Sequence, residues 1–352
     1  MKKLVFDFKK FIDSDRTFVI AEVGSNWKNN NDDKISEIEK YVETAASCDA
    51  DAVKFQMFTA EKLYAYKPGI SDYLKKNGIQ MDVGDMFKNL ELPVKIIPEI
   101  NKICKKNKIN FMASVFSVDD AKNIDPYVDL HKIASYEINH VKLLEYVAKL
   151  KKPILVSTGA STIEEIDFAV NLIKNFNEKI ILLQCTAQYP APLNSLNLNV
   201  IKELEKRYSL KIGFSDHSED PFIGPLVAVG SGARVIEKHF TLNKKNIGPD
   251  HKFALEPNQL EAMIKAIRKA DESKGNYKKI VLDNEIELKQ FASRSIQAIK
   301  DIQKGEILEL GKNIEILRPG KRKRGLDARF LTKVIGKKSL ENVKKGNGII
   351  LI

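Results

Sequence analysis

PILVSTGASTIEEIDFAVNLIKNFNEKIILLQ, residues 153–184, holds a strand, a helix and a second strand in one short stretch. Its ends, PILVST and KIILLQ, are aliphatic runs too short for helices and bounded by turn or polar residues, which is how a buried strand reads. Between them STIEEIDFAVNLIKNF repeats its apolar residues at helical spacing, and the hydroxyls of STGAS are placed to cap the first amides of that helix. The unit is therefore β-α-β.

The same alternation runs from residue 17 to residue 273. Strands are expected at TFVIAE (17–22), DAVKFQ (51–56), INFMAS (109–114), DLHKIA (129–134), PILVST (153–158), KIILLQ (179–184), LKIGFS (210–215) and RVIEKH (234–239), separated by helical stretches such as DDKISEIEKYVETAASC, SVDDAKNI, VKLLEYVAKL and NVIKELEKRY. Eight such units match an α/β fold of the (β/α)8 TIM-barrel type. A doubly wound sheet fits less well, because no GxGxxG fingerprint marks a dinucleotide crevice.

Composition sets the class. At 352 residues, 43% hydrophobic and 30% charged, the chain reads as a soluble globular protein, and no apolar run nears the roughly 20 residues that span a bilayer. The start, MKKLVFDFKKFIDSDRTF, alternates lysines with apolar residues and is interrupted by Asp7, Asp13 and Asp15, so it lacks a signal-peptide core. Residues 1–16 are expected to form a small hairpin. Cys48, Cys104 and Cys185 are widely spaced with no CxxC, which points away from disulfides and zinc knuckles and towards the cytoplasm. The net charge of +11 is read as spread through the chain, with GKRKRG near the end as a solvated loop, so neither nucleic acid nor membrane is an expected partner.

A barrel places function at the C-terminal ends of its strands. The groups expected there are Glu22, Lys54 with Gln56, Ser114, Lys132 with Ser135, Ser157 with Thr158, Gln184, Ser215 with His217, and Glu237 with His239. His217 and His239 leave neighbouring strands, so they meet in space. Two imidazoles plus water or substrate oxygens suit an open divalent site for manganese, iron, cobalt or zinc. Asp216 and Glu237 are expected to point elsewhere, and His131, His140 and His251 to be structural. Lys54 and Lys132, with the hydroxyls of Ser114, Ser135, Ser157 and Ser215 and amides near Gly159 and Gly213, suit an anion bearing both phosphate and carboxylate.

In order along the chain, FVIAEVGSNW, DAVKFQ, HKIASYEI, PILVSTGAS, LLQCTAQYPAP, GFSDHS, VIEKHFTL and GPDHKFALEP resemble the sialic acid synthases, which include synthases of N-acetylneuraminic, legionaminic and pseudaminic acids. The resemblance implies a transferase that joins phosphoenolpyruvate to an N-acylated amino-sugar aldehyde of the N-acetylmannosamine type and releases phosphate by C–O cleavage. It implies a divalent metal on His217 and His239, manganese first, with magnesium or cobalt as alternatives. Lys54 and Lys132 would steady the phosphate and carboxylate, Glu22 would serve the aldehyde or the attacking water, and Glu137 would lie near the phosphate. The sugar would meet Gln56, Tyr189, Asp250 and Arg318.

The tail resembles the same family. A charged linker is expected at 274–290 and an antifreeze-like (SAF, β-clip) domain at 291–352, whose Arg318, in an RPG motif, would reach the partner's barrel in a domain-swapped homodimer. Two departures stand out. Trp27 occupies the position where many relatives carry histidine, either packed under its loop or stacked on a sugar face, and Ala187 stands where some carry asparagine. Two other readings stay open: a related synthase with a phosphorylated aldose acceptor, and a noncatalytic carbohydrate-binding homologue.

Overall fold

The computed structural model describes residues 6–28, 33–70, 81–275 and 278–350. The chain divides into two compact units, residues 1–275 and 276–352. In the first, β1 (Phe18–Gly24), β2 (Ala52–Met57), β3 (Asn110–Val115), β4 (His131–Ile133), β5 (Ile154–Ser157), β6 (Ile180–Cys185), β7 (Lys211–Asp216) and β8 (Val235–His239) close a barrel in chain order, every pairing parallel. Each strand begins and ends within two residues of its expected bounds.

Alternation along the strands makes two cores. Outward-facing residues such as Val19, Ala21, Val53, Phe55, Val156, Leu182, Phe214 and Ile236 pack under the surrounding helices. Inward-facing Ile20, Ala52, Met112, Leu130, Leu155, Ile181, Leu183 and Val235 fill the lower lumen. Two residues further along the same inner faces stand Glu22, Lys54, Ser114, Lys132, Ser157, Cys185 and Glu237, all buried. Above an apolar floor, the lumen is lined with polar groups.

Residues 6–16 do not form the expected hairpin, and residues 1–5 lie outside the described residues. Phe8–Asp13 is a helix whose N-cap Asp7 accepts a hydrogen bond from the Lys10 amide at 3.1 Å. Phe8, Phe11 and Ile12 fall at i, i+3 and i+4, so the helical period, not strict alternation, puts them on one face, where they pack on the barrel floor. Phe6 meets Phe18 edge-on at 5.1 Å, and Arg234 donates to the Phe11 carbonyl at 3.2 Å. Phe11→Ala is expected to destabilise the protein by about 3 kcal/mol. In urea unfolding, a loss below about 0.5 kcal/mol would show that the helix adds nothing to the core.

In the second unit, β9 (Ser295–Ala298) and β10 (Ile314–Leu317) pair antiparallel around Ile296, Ile302, Leu308, Ile314, Val334, Val343 and Ile349. The expected linker is partly helical: Asp283–Ala292 forms a helix, with Glu285 accepting from the Leu282 amide at 2.8 Å, acidic residues in its first turn and Lys289 in its last. Residues 276–352 carry 18 Lys and Arg against 9 Asp and Glu. Most of the net charge therefore sits on this unit, a tighter concentration than the even spread expected above.

Candidate active site

Strand register assembles the polar layer. Glu22 lies between Lys54 of β2 and His239 of β8, Ser114 between Gln56 and Lys132, and Ser215 between Cys185 and Glu237. Lys54 Nζ is 2.7 Å from Glu22 Oε2, donates to Ser114 Oγ at 2.8 Å and is 3.6 Å from Glu237 Oε2. Lys132 Nζ donates to Ser157 Oγ at 2.6 Å and lies 3.9 Å from Glu237 Oε1, the oxygen that also accepts from Ser215 Oγ at 2.9 Å. Glu237 thus sits between two ammonium groups.

This corrects one expectation about β8. Glu237 and His239 are two residues apart on one strand and share the lumen face, whereas Asp216 and Lys238 face the barrel wall. Gln184 also differs from expectation: its side chain donates to the Leu196 carbonyl at 3.1 Å, and Cys185 takes the lumen position on β6. The i, i+2 rule applied from His239 and Leu183 would have found both Glu237 and Cys185. Phe253, which packs on His239 and Tyr189, carries no such sequence signal.

Buried charge is costly unless it is paired, and here two ammonium groups oppose two carboxylates. Burial pushes the Glu22 carboxyl up, against the pull of Lys54, to about 7, and the charge on Glu237 adds to the rise. For Glu237, burial acts upward too, but Lys132 and Lys54 outweigh it and hold the group below the usual range. Burial lowers Lys132, with Glu237 opposing. Lys54 is raised because Glu22 and Glu237 together outweigh the burial that works against its charge. At pH 7 the Glu22 carboxyl is therefore poised between its protonated and ionised forms.

Above the cluster lie the imidazoles, with ring centroids 5.6 Å apart. His217 stacks on Tyr189 at 4.0 Å, and its Nδ1–H donates to the Thr186 carbonyl at 2.8 Å. That bond leaves Nε2 with its lone pair. Burial lowers His217 to about 4 and His239 well below its usual value, so both rings are neutral at pH 7. Among the described residues none hydrogen-bonds the buried His239 Nδ1, and Asp250 Oδ2 is 3.9 Å away. Among the described residues no group of three or more His, Cys, Asp or Glu side chains is arranged to hold a metal. Two neutral imidazoles at this spacing still fit an ion at metal–nitrogen lengths of about 2 Å, with the remaining positions open to water or substrate.

The rim extends the site. Gly24 has φ +57°, and a Cβ there would stand 3.3 Å from both Asp250 Oδ2 and Gln56 Nε2 and 3.4 Å from Glu22 Oε1. Glycine therefore leaves room where three polar side chains converge. Burial raises Asp250 to about 6. Ser135 accepts from the Gly159 amide at 3.0 Å. Glu137, half-buried on the turn Ser135–Glu137, is pushed up to about 7 by burial and then by Asp120. Trp27 is fully buried in the core between barrel and helices, which favours the packing alternative over a sugar stack. Arg318 is exposed directly after β10 in the second unit.

The family model described as "NeuB family" matches residues 41–279. The spore coat polysaccharide biosynthesis protein SpsE of Bacillus subtilis is 37% identical, with 95% of this chain and 92% of the relative covered. The N,N'-diacetyllegionaminic acid synthase of Campylobacter jejuni is 36% identical over 94% of this chain and 98% of its own. Among solved structures, the N-acetylneuraminic acid (sialic acid) synthetase of Leptospira borgpetersenii, in complex with citrate, superposes with a TM-score of 0.68 at 29% identity, covering 78% of this chain and 90% of that one.

Proposed function

Because the chain belongs to the NeuB family, we propose that it condenses phosphoenolpyruvate with an N-acylated amino-sugar aldehyde of the N-acetylmannosamine type, giving a nonulosonic acid and phosphate. The observation that carries this reading is the pair of buried ammonium groups beneath two neutral imidazoles. Phosphoenolpyruvate brings a carboxylate and a phosphate monoester of about −1.5 to −2 charge at pH 7. Glu237 and the ionised form of Glu22 offset much of the charge on Lys54 and Lys132, so a further cation would strengthen the binding of such an anion.

A divalent ion on His217 and His239, manganese first with magnesium or cobalt as alternatives, would supply that charge and Lewis-acid polarisation of the aldehyde. Lys54 and Lys132, with Ser114, Ser135, Ser157 and Ser215, hold the phosphate and carboxylate and aim C3 of phosphoenolpyruvate at the aldehyde carbon. As that C–C bond forms, the aldehyde oxygen takes up a proton to become the new hydroxyl and positive charge develops at C2. Water adds there, giving up one proton to Glu22, and the tetrahedral carbon collapses to the carbonyl, its hydroxyl proton leaving with phosphate as the C–O bond breaks. Asp250, Gln56 and Tyr189 face the sugar.

Residues 291–352 are read as an antifreeze-like domain, and Arg318 as the sugar contact supplied by the partner in a domain-swapped homodimer. Exposed Ile286, Leu288 and Phe291 on the helix Asp283–Ala292 offer apolar surface for a second copy to cover. No helix among the described residues is long and apolar enough to cross a membrane. Cys48, Cys104 and Cys185 are free and buried, which supports a reducing, cytoplasmic setting.

The test mixes purified protein, phosphoenolpyruvate and Mn²⁺ with N-acetylmannosamine, its 6-phosphate or a di-N-acetylated deoxyhexose, and follows phosphate release. In H₂¹⁸O, C–O cleavage yields phosphate free of label. Activity only with the 6-phosphate moves the acceptor to the phosphorylated class, and silence across the panel favours the binding homologue.

A further inference from the structure

On the outer face of the barrel wall, behind the two histidines, lies a second buried charge network. Asp216 and Lys238 are register partners on β7 and β8, each 1% exposed, with Lys238 Nζ 2.7 Å from Asp216 Oδ2. Asp216 directly precedes His217, and Lys238 directly precedes His239. The pair therefore ties together the two backbones from which the lumen imidazoles project.

The network also fixes the chain after His217. Asp216 Oδ1 accepts from the Ser218 amide at 2.8 Å, while Lys238 donates to Ser218 Oγ at 3.1 Å, to the Asp220 carbonyl at 3.1 Å and to the Ser218 carbonyl. Asp220 in turn accepts from the amides of Phe222 and Ile223 at 2.7 and 2.6 Å, joining this loop to the helix Ile223–Gly230. Gly224 lets that helix close over the pair, since a Cβ there would lie 3.0 Å from Asp216 Oδ2.

We propose that Asp216 and Lys238 are positioning residues: a clamp on the outer wall that sets the separation and orientation of the His217 and His239 rings inside. Replacing a buried ion pair with uncharged groups of similar shape is often neutral for stability, so stability alone is a weak reason for such a pair. What the pair supplies here is location, because Asp216 and Lys238 directly precede the two histidines and their hydrogen bonds reach Ser218 and Asp220, just past His217. The consequence for an ion rests on reading those histidines as its ligands. The consequence for the rings does not.

A single replacement would strand one buried charge, so the variant to make is Asp216→Asn/Lys238→Met. Three measurements are compared with the parent: thermal unfolding, exchange of the His217 Nδ1–H by ¹⁵N-histidine NMR, and Mn²⁺ affinity. The clamp predicts a cooperative fold, faster exchange of that proton as its bond to the Thr186 carbonyl loosens, and Mn²⁺ binding weakened by about 10–100-fold. An unchanged ring signal together with an Mn²⁺ Kd within about twofold of the parent overturns it. If the parent itself fails to bind Mn²⁺, the ion reading falls, and the ring signal alone then decides for or against the clamp. Should the first variant not fold, Asp216→Asn/Lys238→Gln is judged by the same outcomes.

Discussion

His217→Ala is expected to abolish turnover, lowering kcat by about 10³-fold or more while the barrel stays folded. The magnitude follows from the several kcal/mol that a Lewis acid contributes to a polarised carbonyl, at about 1.36 kcal/mol for each tenfold in rate. The ring is well placed for that role: the Thr186 carbonyl fixes its tautomer, Tyr189 stacks on one face, and burial keeps it neutral. Alanine leaves His239 as a lone imidazole with Asp250 Oδ2 3.9 Å away, too few donors to hold an ion against water. The check is phosphate release at saturating Mn²⁺ beside the Mn²⁺ affinity and thermal unfolding of the same sample. Parent-like turnover in the folded variant removes the metal from these histidines.

The barrel was legible because its expected strands repeat one signal, an apolar run ending in a polar residue in all but DLHKIA, with helical spacing between. The site was legible for the same reason, since a lysine such as Lys54 or Lys132 inside an apolar run has no cheap alternative to a paired, buried position. What escaped were matters of phase and of distant packing. Glu237 was misplaced by a one-residue error of parity, and Gln184 took the place that belongs to Cys185. Residues 8–13 contain both an alternating and a helical reading, and the helical one prevails because Phe11 and Ile12 can then cover the barrel floor. The burial of Trp27 depends on neighbours brought together from along the barrel, which local sequence does not reveal.

Glu22→Gln is expected to lower kcat by about 10²–10⁴-fold, the usual worth of a positioned acid–base group, and to remove a titration from the pH profile. Burial raises Glu22 to about 7 and Glu237 adds to the rise, while Lys54 and Lys132 pull the other way. Below that pH most molecules hold the proton. If the ionised carboxylate accepts the proton of the water adding at C2, kcat/KM climbs about tenfold per pH unit and levels off above pH 7. The profile of the parent alone does not identify the group, because Glu137 is also raised to about 7, by burial and by Asp120. Geometry separates them: Glu22 touches Lys54 and Gln56 and is the register partner of His239, whereas Glu137 sits half-buried on the turn after β4. Phosphoenolpyruvate's own phosphate titration, near pH 6, is common to every variant and cancels in the ratio to the parent. Glu22→Gln should therefore flatten the limb near pH 7, and Glu137→Gln should keep both the limb and most of the rate. The reverse pattern would transfer the proton acceptor to Glu137 and leave Glu22 as the counter-charge of Lys54.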